Sequence, residues 1–201
     1  MKKIILAVVA LMATCTLSAQ DLRVGLTGGL NFANLHYSQT NSSDGYLGIN
    51  LGIKAEYDLS SVIEEGFYAD ARLLYTLKGG RWASLHQNLS YLELPLNFGY
   101  SYSLTNDVKI FGGLGPYLAY GIAGKNVAKK DGIKVKTPAF GDIYKRFDFG
   151  LNYKVGVELY DEWQIFIGFE HGLRNANKSA VEGETLKMHP LNFYIGCAYM
   201  F

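Results

Sequence analysis

The stretch Leu191–Phe201, LNFYIGCAYMF, decides how the rest of the chain is read. Leu191, Phe193, Ile195, Cys197, Tyr199 and Phe201 fall on one side of a period-two repeat. Asn192, Tyr194, Gly196, Ala198 and Met200, a smaller and more polar set, fall on the other. Successive side chains of a β-strand point to opposite faces. A strand apolar on one face and mixed on the other suits a sheet with lipid outside and packed polar matter inside.

Seven further stretches carry the same alternation. They run Leu22–Asn34, Tyr46–Asp58, Gly66–Lys78, Leu89–Tyr102, Val108–Ile122, Arg146–Leu159 and Trp163–Leu173. Each is long enough to cross a bilayer at a tilt, which takes ~9–11 residues. The connections between them alternate long and short, as in outer-membrane barrels, where short turns are periplasmic and long loops external. The pattern predicts an all-β fold: an eight-stranded antiparallel up-and-down transmembrane β-barrel with both termini periplasmic. The longest loop falls at about Ala123–Lys145. Aromatic residues adjoin the short turns (Tyr57, Phe67, Tyr100, Tyr102, Trp163, Tyr199 and Phe201), where an interfacial girdle sits.

A soluble barrel would place the apolar face inside and charge outside. The uninterrupted apolar face on all strands, and an opposite face carrying glycine with both signs of charge, argue against that. Pro95 and Pro116 interrupt strand patterns. With a three-residue turn at Leu104-Thr105-Asn106, and Asn106 near the left-handed region, Pro95 would lie beside Gly115 and Pro116 beside Leu94. The expectation is a local bulge or bend at that shared level.

Ahead of the barrel, Lys2 and Lys3 precede the apolar run Ile4–Leu17 and Ser18-Ala19-Gln20. This order predicts a secretory signal peptide over residues 1–19 and one barrel domain over 20–201. Thr14 and Met12 depart from the lipoprotein pattern around Cys15. Cleavage would leave Cys197 alone, so no intramolecular disulfide is expected. The formal charge is only +1, and nothing points to nucleic acid.

The inward face carries Arg23, Lys54, Glu56, Asp70, Arg72, Lys78, Glu93, Lys109, Asp148, Lys154, Glu158 and Glu170. Eight strands leave an interior just wide enough for side chains. The reading adopted is a charge-paired lumen network, with Arg72, Glu93, Asp148, Lys154 and Glu170 as its key members. The alternative is a narrow polar pore serving transport or secretion. No catalytic, cofactor or metal residues are assigned, and no enzyme activity is expected. His36, His86 and His189 fall in or beside external loops, His171 follows Glu170, and none shows nucleophile or metal spacing. The long loop carries Lys125, Lys129, Lys130, Lys134 and Lys136, a candidate anion-binding loop for lipopolysaccharide phosphates.

Tyr91-Leu92-Glu93-Leu94-Pro95-Leu96 resembles the YLELPL signature of PorT-like outer-membrane β-barrels of Bacteroidetes. Gly113-Leu114-Gly115-Pro116-Tyr117-Leu118 resembles their GGPYL stretch. Phe147-Asp148-Phe149-Gly150 and Glu170-His171-Gly172-Leu173-Arg174-Asn175 fit the later strands. The resemblance implies an outer-membrane barrel in contact with lipid and lipopolysaccharide, assembled by the barrel assembly machinery. It also implies Phe201, with Tyr199 on the same strand face, as the assembly signal. The motifs specify no activity, ligand, protein partner or oligomeric state.

Overall fold

The computed structural model describes residues 21–37, 46–82, 85–130, 133–138, 140, 145–174 and 188–201. The expected signal peptide lies outside them, as do most of the loops after the first and seventh barrel strands. Nine strands follow in chain order: β1 (Leu22–Tyr37), β2 (Tyr46–Asp58), β3 (Phe67–Trp82), β4 (Leu85–Ser103), β5 (Val108–Lys130), β6 (Ile133–Pro138), β7 (Phe147–Leu159), β8 (Trp163–Gly172) and β9 (Met188–Met200). The sheet order is β4-β3-β2-β1-β9-β8-β7-β5-β6, and β4 also pairs with β5. That last pairing closes an antiparallel ring of eight strands. Among the described residues the ninth, β6, pairs with β5 alone.

Leu191–Met200 lies in the strand that closes the ring. Along β9, Tyr199 stands opposite Leu26 and Phe193 opposite Phe32 of β1. Phe201 donates its backbone N–H to the Val24 carbonyl at 2.8 Å. The two ends of the chain thereby seal the ring.

Side-chain burial is inverted relative to a soluble protein. Leu51 is 67% exposed while Lys54, one turn of the pleat away, is 2% exposed. Exposed apolar residues run round the whole outer wall, including Leu26, Ile53, Leu73, Phe98, Leu114, Val155, Ile167 and Ile195. Such a surface needs lipid around it. The interior holds the inward charges, joined by Asn31, Asn97, Asn152, Gln164 and Asn192. Bulky rings share that space only where a glycine yields. A Cβ on Gly168 would lie 2.2 Å from the Tyr194 ring, so the inward Tyr194 side chain requires glycine there.

Three expectations need correction. The long loop is half strand: β5 continues to Lys130 and folds back as β6. Alternating apolarity marks a strand only where one face meets lipid or core, and this hairpin extends past that level. The β4–β5 turn spans Leu104–Asp107 and closes on Ser103 opposite Lys109, two residues from the expected pairing. Asn106 is not left-handed; Tyr160 and Asp161 are, with φ of 54° and 59°, in the tight turn between β7 and β8.

The third correction concerns the prolines. Pro95 stands opposite Tyr117, and the ladder lapses between Pro95 and Phe98 without changing register. On the other side of β4 it lapses between Ala71–Leu96 and Leu74–Glu93. Each proline lacks an N–H to donate, so the ladder has gaps instead of a bulge. The register shift falls between Ser90 and Tyr91.

Candidate functional site

The alternation of eight strands turns the inward residues into stacked layers, read here from the short turns toward the long loops. In the first layer Arg23 bridges Glu56 and Glu158, reaching Glu158 Oε2 at 2.9 Å. Lys54 Nζ lies 2.6 Å from Glu56 Oε2. Gln164 joins them, its amide donating to Glu158 and its carbonyl accepting from Lys54. Lys109 pairs with Asp161 in the β7–β8 turn and lies 3.8 Å from Glu158. The bond from Lys109 holds the Asp161 carboxyl below the usual range.

The second layer is built on Asp70, which takes the Lys154 ammonium. Asn97 donates to Asp70 at 3.0 Å, Asn152 to Asn97 at 2.6 Å, and Tyr194 to Asn152 at 2.7 Å. Lys154 also sits 5.4 Å from the Tyr68 and Phe111 ring centres. Arg72 donates to the Tyr194 hydroxyl at 3.0 Å and lies over the Phe166 ring. It forms no ion pair among the described residues.

In the third layer Lys78 is shared by Glu93 and by Glu170, the latter at 2.9 Å. Asn192 donates to Glu170 at 2.9 Å, and Tyr117 to Asp148 at 3.0 Å. Glu93 and Asp148 flank the small Ala119, one on each neighbouring strand. Above this layer Phe140 is buried, its ring 5.5 Å from Tyr91. A Cβ on Gly121 would meet that ring at 2.4 Å.

The structure therefore brings Arg72, Glu93, Asp148, Lys154 and Glu170 into one lumen but divides them between layers. The amides and rings that tie the layers together were not singled out as site residues in the sequence. Parity of the strand pattern puts Asn97, Asn152 and Gln164 inward, but parity does not say which inward groups meet across the barrel. Among the described residues, no three His, Cys, Asp or Glu side chains stand close enough to hold a metal ion. His36 stands opposite His189 in the β1–β9 ladder, so both belong to strands. His171 is half-buried in β8.

The candidate anion-binding lysines lie on the β5–β6 hairpin. Lys129 stands opposite Lys134, Val127 opposite Lys136, and Lys125 opposite Pro138. Cross-strand partners and alternate residues share a face. Lys125, Lys129, Lys134 and Lys136 therefore occupy one face, and Lys130 the other. Phe201 is exposed at the end of β9, its ring 5.3 Å from that of Tyr199.

The family model described as "Outer membrane protein beta-barrel domain" matches residues 18–177. No curated protein matches the chain. Among solved structures, Neisserial surface protein A superposes with a TM-score of 0.51 at 13% identity, covering 89% of this chain and 97% of that one. The attachment invasion locus protein Ail of Yersinia pestis gives 0.47 at 15% identity, covering 90% and 99%. The outer membrane protein OprG of Pseudomonas aeruginosa gives 0.42 at 12% identity, covering 90% and 94%.

Proposed function

We infer the role of this protein from its membership: the chain belongs to the outer membrane protein beta-barrel domain family. It is a small integral outer-membrane β-barrel. We propose that it acts through its loop-side surface as a binding and structural element, with no catalysis of its own. The lumen is occupied by bonded side chains at every layer, which argues against a conduit. Within the family, the YLELPL and GGPYL motifs support a PorT-like placement. In this reading residues 1–19 are a cleaved export signal, both termini are periplasmic, and Phe201 with Tyr199 addresses the barrel assembly machinery.

The observation that carries the binding role is the register of the β5–β6 hairpin. Like charges directly opposite on a strand pair are destabilising, yet Lys129 stands across from Lys134. Lys125 and Lys136 join them on the same face. A face of four lysines on the loop side suits polyanionic groups such as the phosphates of lipopolysaccharide. The test replaces Lys125, Lys129, Lys134 and Lys136 by Gln and measures binding of the detergent-purified barrel to lipopolysaccharide across salt concentrations. The expected result is roughly tenfold weaker binding with a shallower salt dependence. Unchanged binding at all salt concentrations overturns the proposal.

A further inference from the structure

Strand β5 carries one residue more than its partner near the loop-side rim. Tyr91 of β4 stands opposite Gly121 and Ser90 opposite Ala123, which leaves Ile122 as the extra residue. A bulge of this kind re-aims the side chains that follow it. Before the bulge Leu118 and Tyr120 are exposed, while Tyr117 and Ala119 are buried. After it the parity is reversed: Ala123 and Lys125 are exposed and Asn126 is buried. Without the bulge Lys125 would continue the inward face. It instead stands at the loop-side end of the lipid-facing wall.

The bulge also marks a fork. β5 pairs with β7 as far as Tyr120 and with β6 from Lys125 onward. Between the two ladders opens a cleft of about 440 Å³, lined by Ile122, Ala123, Lys125, Thr137, Phe140 and Arg146. Arg146 donates to the Gly121 carbonyl at 3.1 Å, and its guanidinium lies 5.7 Å from the centre of the Phe140 ring. That bond uses one of several N–H donors on the guanidinium. Among the described residues neither Arg146 nor Lys125 forms an ion pair, and no acidic side chain lines the cleft. On the membrane side of it Tyr120 stands opposite Phe147 and Leu118 opposite Phe149, all of them exposed. Arg174 lies over the Phe147 ring at 5.6 Å and donates to the Phe147 carbonyl at 3.3 Å, which adds a third cation at this level.

We propose that this cleft seats the phosphate of one outer-leaflet glycolipid, a phosphomonoester carried on acyl chains, with the chains lying along Ile122, Tyr120 and Phe147. A guanidinium offers paired donors to phosphate oxygens, and Lys125 adds a point charge. A free phosphate would make no use of the apolar wall, and an uncharged lipid none of the cations. A phosphorylated lipid meets both. The inference rests on the loop-side binding reading and places the lipid contact of that surface at the fork, beside the membrane.

The test measures binding of lipid A, an acylated and phosphorylated disaccharide, to the full protein in detergent by native mass spectrometry. One lipid A should bind per barrel, and its dephosphorylated form should bind about tenfold more weakly. Equimolar inorganic phosphate should not displace it. Arg146→Gln should weaken lipid A binding about tenfold while the barrel keeps its folded migration on unboiled gels. On the unaltered protein, equal binding of the two lipid forms overturns the proposal, and displacement by equimolar phosphate overturns the assignment to a lipid. Undiminished binding by Arg146→Gln, with weaker binding by the four-lysine variant, overturns the cleft and leaves the hairpin reading standing. Undiminished binding by both variants overturns both.

Discussion

Lys154 and Glu93 are both buried, both charged and both inward on barrel strands, yet they sit in different kinds of surroundings. Lys154 has Asp70 to itself, and Asp70 is bonded in turn to Asn97. Glu93 shares Lys78 with Glu170. On the turn side a cation pairs with an acid of its own, whereas on the loop side Lys78 is divided between two.

The sharpest way to break this comparison is Lys154→Met. It strands Asp70 as a buried charge, and removal of one partner of a buried pair costs about 3–5 kcal/mol. Urea titration of the folded barrel in detergent reads this directly. A loss below about 1 kcal/mol would mean that the turn-side pairs are not what holds the layer. Glu93→Gln is the matched change on the loop side. It leaves Lys78 paired with Glu170 and nearly preserves shape, so stability should move by less than about 1 kcal/mol in either direction. A cost equal to that of Lys154→Met would erase the distinction between the halves.

The smallest effect belongs to the rim. Asp161 lies in the β7–β8 turn, is largely exposed, and its carboxyl is lowered by the bond from Lys109. A lowered folded-state value means that the contribution is present above the unfolded value, near 4. It is lost as pH falls through the folded value. Solvent screening limits it to less than about 0.5 kcal/mol. Asp161→Asn should therefore lower stability at neutral pH by less than about 0.5 kcal/mol, leave it unchanged below the folded value, and slightly flatten the acid limb of a stability–pH profile. A loss at neutral pH comparable to that of Lys154→Met would extend the closed network out to the turn.

Strand number, inside-out polarity and the list of inward charges were legible in the sequence, because alternation is a local property of a chain that faces lipid. Tyr46–Asp58 keeps the bounds read from its pattern, and the Trp163 strand differs by one residue at its end. The β5–β6 hairpin was not legible: beyond the bilayer no apolar face is required, so lysines at alternate positions give no hydrophobic signal. The turn register was missed by two residues because Leu104–Asp107 lacks the Asn-Gly or Asp-Gly pair that fixes a tight hairpin. The Tyr160-Asp161 turn shows the same weakness, since it adopts left-handed backbone without glycine.

By itself, the sequence determined that this chain is a barrel with lipid outside and charge within, starting from the alternation of Leu191–Phe201. Only the tertiary structure decided which charges meet. Arg23 and Glu158 are brought together from 135 residues apart, and Lys78 meets both Glu93 and Glu170. Ring closure and strand shear set those encounters, and both depend on the register of every strand at once. Parity along one strand places a carboxylate inside; only the closed ring decides whether a cation is there to meet it.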